Sequence, residues 1–187
     1  MPDSNIAASI GFFAKSEADA APRPEISLVE RSCAGDRDAF GELYKMFASL
    51  VHGILLSRVP YGEADDVAQE VFMCAYKSLH GLRDRSAVGP WLAAIARNRA
   101  AEFHRHSRKT EELSEDISHK GHTAEAYEIL AAIRSLPASY SETLALRLIE
   151  GMTGREIAER TGLTHESVRV NLSRGMKILR QNLGIVE

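Results

Sequence analysis

Apolar positions recur at three- and four-residue spacing from residue 26 onward, and no segment alternates apolar and polar over a useful length, so the pattern predicts helices and no sheet. Leu28, Val29, Phe40, Leu43, Tyr44, Phe47, Leu50, Val51, Ile54 and Leu55 make the inner stripes of two helices, the second capped by Asp36 or Asp38. Pro60-Tyr61-Gly62 breaks the pattern. A third helix follows over 64–79, with Val67, Val71, Ala75 and Leu79 on one side, Phe72 beside them, and Asp66, Gln69, Glu70 and Met73 on the opposite face. After a Gly- and Pro-containing loop, a fourth helix runs from 91 to about 108. Trp91, Leu92, Ile95, Ala96 and Phe103 form its buried side; Arg97, Ala101, His104, Arg105 and Arg108 line another, with Asn98 and Arg99 flanking.

Between 110 and 120 four acids, one base and few apolar residues read as a linker. A second helical block starts near Ala124, is broken at Leu136-Pro137, and continues with a helix over 142–149. The stretch 153–177 reads as a helix-turn-helix. Thr153 with Glu156 three residues on is a capping box. Ile157 and Ala158 form a narrow apolar edge, Gly162 suits the left-handed angle that stops a helix, Leu163 plugs the turn, and Thr164 caps the next helix. There Val168, Leu172, Met176 and Leu179 face inward, which leaves Glu166, Ser167, Val170, Ser173, Arg174 and Lys177 outside. Such a face, polar at its start and cationic at its end, fits the major groove of DNA. The class is therefore all-α, in two small helical domains joined by a flexible linker.

A formal net charge of −3 argues against nucleic acid until it is divided along the chain. Residues 1–70 hold twelve acids against six bases, whereas residues 77–109 hold eight bases against two acids. This asymmetry points to one surface for nucleic acid and another for a protein partner. The cationic stripe of the fourth helix, beside a loop carrying His80, Arg83, Arg85 and Ser86, suits a phosphate backbone and an unstacked base. Trp91 has the chemistry to stack on a base, but a lone Trp opening a helix more often packs in a core.

Two cysteines, Cys33 and Cys74, fit a reduced compartment without a disulfide framework; Cys74 sits among core positions and Cys33 has no cationic neighbour to activate it. No 18-residue apolar run predicts a membrane span, and the first 25 residues lack the form of a signal peptide, so a cytoplasmic protein is expected. His104 with His106, and His119 with His122, lack a completing carboxylate or Cys, so no metal is expected. No nucleophile, base and orienter set is visible, so neither an enzyme nor a cofactor is expected. A stand-alone helix-turn-helix regulator would need a ligand or phosphoacceptor domain in front, and residues 26–108 show no βα alternation.

Five segments in order, DAFGELY at 38–44, DDVAQEVF at 65–72, WLAAIARNRAAEFHR at 91–105, LP at 136–137 and EGMTGREIAERTGLTHESVRVNLSRG at 150–175, resemble the extracytoplasmic-function sigma factors of the sigma-70 family, which retain only domains two and four. The resemblance covers about 26–183 and implies domain two over 26–108, an acidic linker over 109–123 and domain four over 124–187; residues 1–25, rich in Ala, Ser, Asp and Pro, read from their composition as a flexible tail. It implies that Asp66, Gln69, Glu70 and Met73 dock on the clamp helices of core RNA polymerase, and that the side around Leu144 and Leu148 meets the flap. For the promoter −10 element it implies His80, Arg83, Arg85, Ser86, Arg97, Asn98, His104, Arg105 and Arg108, which would melt the duplex and capture a flipped base. For the −35 element it implies His165, Glu166, Ser167, Arg169, Val170, Ser173, Arg174 and Lys177. The linker would run toward the RNA exit channel, where its acids mimic nascent RNA. An anti-sigma protein is the implied regulator. The chain departs from the family's usual Gly-Thr-Val-Lys-Ser-Arg-Leu at residues 166–172, where Glu166 adds an acid and Asn171 replaces Arg; Ser141 replaces a common Arg, and Glu102 stands where Asp is usual.

Overall fold

The computed structural model describes residues 23–110 and 124–185, with the side chains of 108–110 and 124–126 outside that description. Of the tail expected over 1–25 and the linker expected over 109–123, residues 1–22 and 111–123, including His119 and His122, lie outside the described residues, while 24–25 and 109–110 belong to helices. Those that are described form eight α-helices and no strand: α1 Pro24–Cys33, α2 Arg37–Leu56, α3 Ala64–Ser78, α4 Val88–Thr110, α5 Ala124–Arg134, α6 Ala138–Leu148, α7 Gly154–Thr161 and α8 His165–Asn182. Single 3-10 turns at Tyr61–Glu63, Leu79–Gly81 and Arg85–Ala87 join the earlier helices.

Local chemistry sets these boundaries. Asp36, rather than Asp38, caps α2 by accepting from the amides of Asp38 and Ala39. α4 starts at Val88, three residues before the predicted start, because Pro90 falls in its first turn, where a missing N–H costs nothing. For the same reason the Leu-Pro break is the N-terminal boundary of α6: Pro137 precedes Ala138, and the helix begins four residues earlier than predicted. In the helix-turn-helix, Thr153 and Glu156 form both bonds of the capping box, Gly162 stops α7 with φ 79°, and the Thr164 side chain accepts from the Ser167 amide. Leu163 is exposed and does not plug the turn. The turn is closed instead by the Thr161 hydroxyl, which accepts from the Leu163 amide at 3.4 Å.

The all-α class and the two helical units are as expected, α1–α4 in front and α5–α8 behind. Their packing is not. The largest apolar cluster begins with Val29, Leu50, Val71 and Leu92 of the front unit and runs without interruption into Leu146, Met152, Ile157 and Val168 of the rear one. A second, smaller cluster of Ile133, Leu136, Leu144, Ala145 and Leu179 belongs to the rear unit alone. The units therefore close on each other, α2 against α6 and α4 against α7.

Candidate nucleic-acid and protein interfaces

The start of α8 presents most of its predicted residues to solvent. His165, Glu166, Arg169, Ser173, Arg174 and Lys177 are exposed, and Ser167 and Val170 are half-buried. Ser167 is engaged locally, its hydroxyl receiving a bond from Thr164 at 2.8 Å. Beneath them Val168 and Leu179 are buried, with Leu172 and Met176 partly so. Asn171 points toward this inner side and donates to the Thr143 hydroxyl at 3.3 Å, so in this fold it ties α8 to α6 and is not part of the outward face. Gly175 is also buried, and a Cβ there would stand 3.0 Å from Leu144; a glycine on the inner stripe is the signal of a close helix crossing, which periodicity of large side chains does not register.

The basic residues of the front unit divide into two groups. Arg83, Arg85, Asn98 and Arg105 are exposed. His80 and His104 are exposed as well, but each ring contacts a backbone carbonyl, His80 that of Cys33 at 3.1 Å and His104 that of Arg58 at 2.7 Å. Ser86 is held by Asp84, which accepts from both its hydroxyl and its amide. Arg97 turns away from this group and is paired across the molecule with Glu142. The Arg108 side chain lies outside the described residues. Trp91 is half-buried and packs on the core.

On α3, Asp66, Gln69, Glu70 and Met73 are exposed together. Asp66, Gln69 and Met73 also line a groove of about 1040 Å³ together with the aromatic residues Phe40 and Tyr44 of α2 and Phe72 and Tyr76 of α3. Tyr44 is 49 % exposed and Tyr76 43 %, against rings of Phe72 and Phe40 at centroid distances of 4.6 and 4.9 Å. Tyr44 is thus on the groove and not on the inner stripe where its spacing put it, because α2 carries an apolar arc wider than α3 and α4 cover. Leu144 also departs from expectation. It is fully buried, at 0 % exposure, while Leu148 is 46 % exposed beside Ile149. An outward apolar side on α6 is therefore carried by Leu148 and Ile149, and Leu144 is core.

Three ion pairs, gathered at Glu142 and at Glu150, cross the seam between the units among the described residues. Glu142, only 6 % exposed, accepts two bonds from Arg97, at 2.7 and 3.0 Å, and one from Arg58 at 2.8 Å. Burial, the largest influence, pushes its carboxyl up, but the hydrogen bonds and charges of Arg97 and Arg58 outweigh it and hold the pKa below the ordinary glutamate value. Farther along, His52 Nδ1 lies 2.6 Å from Glu150, and Nε2 is 3.7 Å from Asp65. The hydrogen bond to Glu150 is the main influence on His52, and it raises the pKa above the ordinary histidine value against the opposing effect of burial. A group with a raised folded pKa stabilises fully below its unfolded value, about 6.5 for histidine, and that contribution is lost as pH rises through the raised value. The stability difference between wild type and His52→Gln in urea titrations should therefore shrink from about pH 6.5 upward. A difference independent of pH would mean that the His52–Glu150 pair is not formed in solution.

Comparison with known proteins adds to this geometry. The model for sigma-70 region 2 matches residues 43–110, and that for sigma-70 region 4 matches residues 126–179. Sigma factor SigZ of Bacillus subtilis is 31 % identical over 127 residues, covering 64 % of this chain and 72 % of its own. Sigma factor CarQ of Myxococcus xanthus is 29 % identical over 169 residues, covering 85 % and 97 %. The extracytoplasmic-function sigma-E factor of Haemophilus influenzae is 28 % identical over 177 residues, covering 84 % and 94 %. Among solved structures, CnrH in complex with the cytosolic domain of CnrY shares the fold with a TM-score of 0.63 and 22 % identity over 88 % of this chain and all of that one. The Bartonella quintana sigma factor RpoE in complex with the anti-sigma factor NepR shares it at 0.56 and 18 %, over 81 % and 99 %. No helix among the described residues is long and apolar enough to cross a membrane. With both sigma-70 regions matched in order and a relative 31 % identical over 72 % of its length, the chain belongs to the extracytoplasmic-function group of the sigma-70 family of RNA polymerase sigma factors.

Proposed function

We propose that this sigma factor binds core RNA polymerase through the acidic and aromatic groove of α2 and α3, reads the −35 element with the start of α8, and melts the −10 element with the loop and basic side of α4. The observation that carries this reading is the separation of two chemically opposite exposed surfaces: Asp66, Gln69, Glu70 and Met73 on one, and the polar, then cationic, face of α8 on the other. Asp66, Gln69, Glu70 and Met73 face the clamp helices, and Leu148 the flap. Arg83, Arg85, Arg97, Asn98, Arg105 and Arg108 follow the −10 strand, with His80, Ser86 and His104 beside them. The domain limits are 26–108 and 124–187, with 109–123 running toward the exit channel. The action is cytoplasmic and needs no metal or cofactor, and an anti-sigma protein controls it, as the relative solved with NepR has one.

Glu166 and Val170 occupy the first two turns of α8, the part that enters the major groove, where a carboxylate accepts from a cytosine amino group and Val170 meets a thymine methyl. Glu166→Ala should relax preference at one −35 position by roughly 1–3 kcal/mol. Transcription from a library of −35 variants by wild type and variant with the same core polymerase measures this. Identical profiles would show that Glu166 serves only the positive end of α8.

A further inference from the structure

Asn171 is one of the departures of this chain from the usual family sequence, and the −35 contacts of α8 leave it unused. It stands between the outward Val170 and the inner Leu172, half-buried, and its Nδ2 donates to the Thr143 hydroxyl of α6 at 3.3 Å. Thr143 is 1 % exposed, and its own O–H is committed to the Ser139 carbonyl at 2.7 Å. A hydroxyl has one proton to give, so toward α8 Thr143 is an acceptor alone, and only one orientation of the Asn171 amide satisfies it. One helical turn farther on, Gly175 closes on α6: a Cβ there would meet Leu144 at 3.0 Å and Tyr140 at 3.1 Å. Glycine lets the two helices approach but offers no side chain to index one against the other. Apolar burial is non-directional, so the inner stripe of Val168, Leu172 and Leu179 fixes which side of α8 faces inward more firmly than it fixes the angle. A hydrogen bond weakens steeply with misalignment, and the bond from Asn171 to Thr143 supplies the missing direction.

From this we infer that Asn171 and Thr143 are positioning residues for promoter recognition: their bond sets the rotation of α8 about its own axis, and so decides where Glu166 and Val170 stand in the major groove. The inference rests on the −35 reading of α8. Outward side-chain tips lie about 5–6 Å from a helix axis, so a rotation of about 20°, about a fifth of the step between neighbouring residues, displaces them by about 2 Å. Donor–acceptor distances in a hydrogen bond span only about 2.7 to about 3.2 Å, so a base-edge contact from Glu166 does not keep its pairing through that displacement. Phosphate contacts carry no sequence information, and the long, exposed side chains of Arg174 and Lys177 reach the backbone from either position. Loss of the bond therefore removes preference and spares affinity for DNA in general.

Thr143 is sealed beneath α8 and cannot itself touch DNA, so a change of sequence preference caused there passes through the helix. Transcription from a library of −35 variants by the factor with core polymerase, beside circular dichroism of each preparation, measures this. Asn171→Ala and Thr143→Val should each reduce discrimination at one −35 position or more by about tenfold, the size of one good base contact. The two together should do no more than either alone, since both remove the same bond. Thr143→Ser, which keeps the hydroxyl, should retain the wild-type profile, and Thr143→Ala, which adds no methyl, gives the same reading should Thr143→Val unfold. A shift with Asn171→Ala and none with the Thr143 variants would show Asn171 reading a base directly and overturn the inference. A uniform fall across the library with the profile intact would overturn it too, being the mark of lost stability alone. A wild-type profile without any −35 preference would overturn the reading of α8 itself, and the inference with it, before any variant is compared.

Discussion

Asp66→Lys combined with Glu70→Lys should abolish capture by core RNA polymerase while the chain stays fully helical. Both carboxylates are exposed on α3, and Asp66 lines the groove that also carries Tyr44, Met73 and Tyr76. Exposed substitutions of this kind usually change stability by within about 0.5 kcal/mol, so the fold should persist. At an interface selected by charge, two reversed signs set like charges against each other at a cost of several kcal/mol, and about 3 kcal/mol is already more than a hundredfold in affinity. A pull-down with core polymerase at moderate salt, beside circular dichroism of the same preparation, reads both quantities. Wild-type capture by the variant would remove α3 from the docking surface.

Leu144→Ala should destabilise the rear unit by about 2–5 kcal/mol, the usual cost of removing a fully buried leucine side chain from a packed core. Leu144 is at 0 % exposure between Gly175 of α8 and the α6–α8 contact, so the loss falls on the packing that holds the recognition helix in place. Leu148→Ala on the exposed side of the same helix should stay within about 0.5 kcal/mol. Urea unfolding of the two variants separates the roles. Equal, small effects on stability would return Leu144 to the flap-facing side where the family resemblance had put it.

What the sequence by itself determined is what depends on neighbours three or four residues away. The capping box of Thr153 and Glu156, the left-handed stop at Gly162 and the Thr164 cap are interactions of a helix with its own turns, and they were legible with their roles; the shared exposure of Asp66, Gln69, Glu70 and Met73 on α3 was legible from spacing. Periodicity also named the apolar faces and so the all-α class. It did not say what covers each face. Tyr44 sits at core spacing and Leu144 was expected on an outward side, yet the first lines a groove and the second is sealed, because α3 and α4 leave part of the α2 arc open whereas α8 crosses α6 closely over Gly175. Arg97 reads as one more cation on a stripe until tertiary packing brings Glu142, 45 residues away, into hydrogen-bond range. His52 and Glu150, 98 residues apart, meet for the same reason. Such pairs form only once the two units close, since burial of Leu146, Met152, Ile157 and Val168 against the front unit supplies the attraction that places charges from distant segments together.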